Sequence, residues 1–137
     1  VTGLVVCVLV LAAASTYGVL RQRRSGRVAV RVRDGGKRLD AAELGQGLGE
    51  RATLVQFSSA FCAPCRATRR VLAEVAAVVP GVAHVEIDAE HHLDLVRRLD
   101  ILKTPTVLVL DADGRIVRRA AGQPRKADVI AALGEAV

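Results

Sequence analysis

The 137-residue chain reads as an α/β domain behind one N-terminal transmembrane helix. Three observations carry this. Residues 1–20 contain no charged side chain. From residue 39 onward, short apolar runs of strand type alternate with segments whose apolar residues recur at helical spacing. Near the C-terminus, two strand-type runs flank Asp111-Ala112-Asp113-Gly114, a strong hairpin signal. The length suits a single domain. Hydrophobic residues make up 51% of the chain but aromatic ones only 2%, so the core must be built from Val, Leu, Ile and Ala.

Within residues 1–20 only Thr2, Ser15, Thr16 and Tyr17 are clearly polar. A helix of that length spans about 30 Å, the thickness of a bilayer core. A signal peptide cut after Ala12-Ala13-Ala14 would also fit the small-residue cleavage pattern. Against it, no basic residue precedes the apolar run, and six arginines follow between 21 and 33. The positive-inside rule then predicts a single-pass protein of the cell membrane with its C-terminal domain in the cytoplasm. Arg21, Arg23, Arg24 and Arg27 would sit against anionic headgroups, at about 1 kcal/mol each. Cys7 lies in the apolar run and reads as a small apolar residue. The chain begins on Val and contains no Met, which suggests an alternative start codon or a trimmed end.

Charge is distributed unevenly. The net charge is +6, but residues 21–38 hold eight basic residues and one acid, Asp34, whereas residues 39–137 hold twelve basic and thirteen acidic ones. The positive charge therefore sits in a juxtamembrane tether over 21–38. The domain over 39–137 is near neutral, which excludes a basic nucleic-acid-binding surface. Cysteines at 7, 62 and 65 are too few and too unevenly spaced for a disulfide-stapled scaffold.

Along the tether, Val28, Val30 and Val32 alternate with Ala29, Arg31 and Arg33, predicting an edge strand, and Asp34-Gly35-Gly36 a turn. Asp40 is placed to cap a short helix to about Leu48, with Glu43 at the capping-box position. Thr53–Phe57 reads as a buried strand and Ser58–Phe61 as a loop. A long helix follows from Cys62 to about Val79, with Val71, Leu72, Val75 and Val79 inward and Arg66, Arg69, Arg70 and Glu74 outward. Pro80-Gly81 stops it. Val82–Asp88 is a strand and His92–Asp100 a helix with Leu95, Val96 and Leu99 inward. Val107–Leu110 and Ile116–Ala120 form the hairpin. Pro124 opens a last helix packed through Val129, Ile130 and Leu133. The order is β-α-β-α-β-α-β-β-α.

Cys62-Ala63-Pro64-Cys65 follows a strand and opens a helix, and that context gives the pair its chemistry. A thiolate at Cys62 would be stabilised by unpaired backbone N–H groups and the positive end of the helix dipole, which lowers a cysteine pKa from about 8.5 towards neutrality. Cys65, one turn further, is shielded but close enough to pair. Cys62 would then attack a substrate disulfide, and Cys65 would resolve the mixed disulfide. Pro64 forfeits no helix hydrogen bond, because its N–H would be unpaired there. Half a zinc site is the other meaning of C-x-x-C, but zinc needs four ligands and no second cysteine pair exists. His91 and His92 could supply ligands in principle; adjacent histidines at a helix start are more often solvated.

From about Thr53 to the C-terminus, some three-fifths of the chain, the sequence resembles the thioredoxin family. The likeness rests on Leu54-Val55-Gln56-Phe57, Phe61-Cys62-Ala63-Pro64-Cys65, Val85-Glu86-Ile87-Asp88, Thr104-Pro105-Thr106 before an apolar strand, and Gly122 before the last helix. The resemblance implies a three-layer α/β/α sandwich with a mixed central sheet. It also implies a cis Thr104–Pro105 bond facing the cysteines, which keeps a backbone edge at Thr104 open to an extended substrate segment. The chain departs from the family pattern at four positions. Phe61 stands where Trp is usual, an aromatic cover without the indole N–H. Gln56 replaces a buried Asp beneath the second cysteine and cannot exchange a proton. His84 replaces a buried Lys, as a proton-transfer group or a hydrogen-bonded core residue. Ala63 replaces Gly.

The resulting expectation is a membrane-tethered thiol–disulfide oxidoreductase that reduces protein disulfides. Its electrons would come from a flavin-type thioredoxin reductase or a membrane redox partner. No cofactor or metal site is legible in the chain. Two other readings stay open. An extracytoplasmic oxidase or cytochrome c maturation helper often carries an insertion in mid-fold, but Cys65 to His84 has room for only one helix and one turn. A thioredoxin-like scaffold with a structural disulfide is opposed by the reactivity of a C-x-x-C pair at a helix N-terminus.

Overall fold

The computed structural model describes residues 1–24 and 37–137. The expected edge strand over 28–33, its following turn and most of the basic tether lie outside the described residues. Helix α1 spans Thr2–Arg24, running past residue 20 because Arg and Gln are good helix formers. Its Thr2–Arg21 stretch has a mean hydropathy of 2.2 and is exposed throughout. By length and composition it is long and apolar enough to cross a membrane, a test that a signal sequence also passes.

In the remaining chain, α2 (Ala41–Leu44), β1 (Ala52–Ser58), α3 (Ala63–Val78), β2 (Val82–Asp88), α4 (Leu93–Arg98), β3 (Thr106–Asp111), β4 (Ile116–Ala121) and α5 (Lys126–Ala136) follow in order. The described sheet has strand order β2-β1-β3-β4. β1 and β2 pair in parallel, as the crossover through α3 requires. β1 with β3, and β3 with β4, pair antiparallel, so the sheet is mixed. Residues 79–81 join α3 directly to β2, with no insertion.

Every residue of β1 is buried, the mark of a central strand covered on both faces. Side chains alternate between two cores. Val55, Phe57, Val85, Ile87, Leu108 and Leu110 face Leu44 of α2 and Leu99 and Ile101 at the end of α4. Leu54, Val107, Val109 and Ala120 face Leu72 and Val75 of α3 and Val129, Ala132 and Leu133 of α5. Helices cover both faces, giving the three-layer sandwich.

Several boundaries differ from the sequence expectation for local reasons. The Asp40–Glu43 capping box forms on both sides, but α2 stops at Leu44 instead of Leu48, because Gly45 adopts a left-handed φ of 73° and turns its N–H back to the Ala42 carbonyl. α4 is shorter at both ends than His92–Asp100; a 3₁₀ turn over Ala89–His91, capped by Asp88, precedes it. α5 starts at Lys126, two residues after Pro124. Ile130 is 48% exposed, a correction to its expected inward packing: Ala132, with Val129 and Leu133, faces the core instead. In the β3–β4 hairpin, Asp111 Oδ1 accepts from the Asp113 and Arg115 N–H groups, and Gly114 takes φ 82°.

Candidate active site

At the C-terminal end of the central strand β1, Ser59–Phe61 turn the chain into α3. Phe61 makes the turn in left-handed backbone, φ 59°, at a cost of about 1–2 kcal/mol for a side chain of this kind. Cys62 is the N-cap of α3 and Cys65 lies one turn in. The two are joined as a disulfide with a Cα–Cα distance of 5.2 Å. The Cys65 N–H donates to Cys62 Sγ at 3.2 Å, and Cys62 caps a 16-residue helix whose dipole favours negative charge there. Cys62 is half-buried, whereas Cys65 is 2% exposed. The outer sulfur is reachable and electrostatically favoured as a thiolate; the inner one is shielded. Pro64 sits in the first turn, where backbone N–H groups have no helical partner. It and Ala63 face solvent.

The Thr104–Pro105 bond is cis. Ser59 Oγ and Thr104 Oγ1 are 2.8 Å apart, so one hydroxyl pair ties the loop before Cys62 to the segment before Pro105, which is itself buried. A groove of about 330 Å³ opens beside the disulfide, lined by Ser59, Ala60, Phe61, Cys62, Cys65, Arg66 and Arg69. Phe61 is fully exposed on its rim. It does not fold over the sulfurs as a cover, because the left-handed turn leaves its ring without packing partners.

Gln56 is fully buried. Its Nε2 donates to the Cys65 carbonyl at 2.8 Å and to Ser58 Oγ at 3.0 Å. Its Oε1 accepts from His84 Nε2 at 3.2 Å, which requires the Nε2–H tautomer if the imidazole is neutral. His84 therefore reaches the second cysteine through an amide and its backbone, and that imidazole N–H is directed at Gln56, not at a sulfur. Burial lowers the His84 pKa, while Glu86 pulls it up and Arg69 pushes it down. Arg69 forms a two-point ion pair with Glu86. No group of three or more His, Cys, Asp or Glu among the described residues could hold a metal ion.

A pH dependence follows from His84. Its folded pKa lies below its ordinary value of 6.5, so the unfolded chain takes up this proton first as pH falls. The contribution to stability is complete above about pH 6.5 and is lost as pH drops through that value towards the lower folded one. Urea midpoints should fall between about pH 7.5 and pH 5, and His84→Gln should flatten that segment. Asp88, its pKa lowered chiefly by the Glu90 N–H, acts in a separate window below 3.8.

A family model described as Thioredoxin matches residues 40–135. This chain belongs to the thioredoxin family. Members of that family are generally thiol–disulfide oxidoreductases, and the cysteine pair such chemistry uses is present. Thioredoxin from Mycolicibacterium smegmatis is 31% identical over 87 residues, 61% of this chain and 77% of that one. Thioredoxin H5 from Oryza sativa subsp. japonica is 26% identical over 72 residues, and the chain spans about half of that relative's length, 53%. Among solved structures, a mutant thioredoxin from Halobacterium salinarum NRC-1 aligns with a TM-score of 0.58 at 20% identity, over 64% of this chain and 75% of that one. Thioredoxin NaTrxh from Nicotiana alata aligns with a TM-score of 0.57 at 24% identity, over 64% and 74%. At those identities the likeness speaks to the thioredoxin fold alone.

Sequence reasoning missed four parts of this thioredoxin site. Ser58 was legible as the next same-face residue after Gln56 in a strand. Arg66 was legible as the residue one turn beyond Cys62. Glu86 pairs in register with Gln56, which only the strand alignment reveals. The Ser59–Thr104 contact joins residues 45 apart and has no local signal.

Proposed function

We propose that this protein is a membrane-tethered thiol–disulfide oxidoreductase that reduces protein disulfides through Cys62 and Cys65. The observation that carries the proposal is the half-buried Cys62 sulfur at the N-cap of α3, with the Cys65 N–H directed at it. In the reduced form, the Cys62 thiolate attacks one sulfur of a substrate disulfide. A Cys62–substrate S–S bond forms, and the other substrate sulfur leaves as a thiolate that takes a proton. The Cys65 thiolate, having lost its own proton, then attacks Cys62 Sγ. The Cys62–Cys65 bond forms and the second substrate sulfur leaves. Two electrons pass from the dithiol to the substrate. An external dithiol donor, a thioredoxin reductase or a membrane redox partner, restores the starting state.

Phe61, Ala63 and Pro64 form one side of the docking site and the Thr104 backbone edge, beside Pro105, the other. An extended segment adds there as a strand would. Gln56 positions Cys65 by holding its carbonyl, with His84 steadying the amide.

Residues 1–20 serve as the membrane span, 21–38 as a basic tether and 39–137 as the catalytic domain. Six arginines between 21 and 33 support a cytoplasmic C-terminal side. An alkaline phosphatase fused to the C-terminus, active only when exported, should be inactive, and a cytoplasm-dependent reporter should be active. The reverse pattern would put the domain outside and favour an oxidase.

Catalysis is tested on the full chain in detergent. The pre-reduced protein should reduce a protein disulfide stoichiometrically and end with Cys62 and Cys65 oxidised. No transfer from the dithiol would refute the proposal.

A further inference from the structure

The groove beside the disulfide is charged in a way that the exchange chemistry does not require. Arg66 lines it one turn after Cys62 and has no hydrogen-bond or ion-pair partner among the described residues. Arg69 lines it too, but its guanidinium is engaged by Glu86 on β2. No Asp or Glu lines the groove. On its rim stands one unpacked apolar side chain, Phe61, at 104% exposed.

We propose that Arg66 is a specificity-determining residue that selects disulfides flanked by an acidic residue. The inference rests on the oxidoreductase reading above and names its substrate class. Any group that meets Arg66 while Cys62 reacts must lie within a side chain's reach of the sulfur being exchanged. Two residues of an extended segment span about 7 Å, so the preferred carboxylate lies within about two residues of the substrate cysteine. Phe61 supplies apolar contact of the kind that any extended segment can use. The unpaired guanidinium supplies the discrimination, by attracting a carboxylate and repelling an ammonium.

The test uses three otherwise identical peptides with one disulfide each, carrying Glu, Gln or Lys beside the cysteine. Single-turnover reduction by the pre-reduced full chain in neutral detergent is followed by stopped flow. At low salt the Glu peptide should react about fivefold faster than the Lys peptide, the scale of one exposed charge contact made or reversed. The gap should close towards unity at about 0.5 M salt. Arg66→Gln should bring the Glu-to-Lys ratio below about twofold. Arg70→Gln, which removes an exposed arginine of α3 outside the groove, should retain most of it. Equal rates for all three peptides in the parent protein would overturn the proposal and leave the oxidoreductase reading standing. So would a ratio that survives Arg66→Gln. If no peptide is reduced, the oxidoreductase reading falls and this inference falls with it.

Discussion

Replacing Cys62 by Ser should lower the rate of disulfide reduction by about a thousandfold or more, because the attacking sulfur is removed and no other exposed thiol of the domain can take its place. Replacing Cys65 should also stop turnover, but at a later point: the first exchange still occurs, and one substrate thiol is released. The two variants therefore separate in a pre-steady-state assay of thiol release. Cys65→Ser should give a burst of one thiol per protein, and Cys62→Ser none. Cys7 lies on the exposed face of α1, so both variants are best made with Cys7 also replaced by Ser, which removes the only other thiol in the chain. Equal bursts from both variants would mean that neither the N-cap position nor the burial difference sets the order of attack.

The second large effect should come from Gln56→Leu. The substitution keeps the apolar bulk in a fully buried position but deletes three hydrogen bonds: to the Cys65 carbonyl, to Ser58 Oγ and to His84 Nε2. His84 is half-exposed and can turn to water. The buried Ser58 hydroxyl loses its donor inside the fold, at about 1–3 kcal/mol, while the Cys65 carbonyl, inside α3, keeps its helical donor and loses about 1 kcal/mol. A loss of roughly 2–4 kcal/mol in denaturant-derived stability is expected, together with slower decay of the mixed disulfide, because α3 loses its tie to β1 beneath the resolving cysteine. A variant as stable as the parent would show that the amide network contributes nothing net to this site.

How much of this was legible in the sequence depended on how local each feature is. The cysteine pair, its strand-to-helix context and the capping of α2 are set within a few residues, and period-two and helical patterns expose them. The largely apolar run over Thr53–Phe57 marks a buried strand, and β1 is buried throughout. Helix ends were less legible, because Gly45 in left-handed backbone ends α2 one turn after it begins, overriding the apolar pattern that runs on to Leu48. Ile130 fits an amphipathic stripe by spacing, yet α5 turns Val129, Ala132 and Leu133 to the core and leaves Ile130 48% exposed. Contacts across the sheet were not legible. That His84 meets Gln56 depends on the parallel register of β1 and β2, and of the two readings the sequence left for His84 the hydrogen-bonded one is what the register makes, a contact to an amide. Phe61 illustrates the same limit: its motif position suggested a cover, but one left-handed residue leaves the ring fully in solvent.

The central claim is that Cys62 is the residue that becomes covalently bound to substrate and Cys65 the one that releases it. Peptide mapping by mass spectrometry of the trapped complex tests it most directly. The full chain carrying Cys65→Ser and Cys7→Ser is reduced, freed of reductant and mixed with a protein disulfide, then quenched in acid. The account predicts a stable adduct in which the substrate cysteine is joined to Cys62, and no adduct from the matching Cys62→Ser protein. An adduct on Cys65 in that second protein, with none on Cys62 in the first, would contradict it.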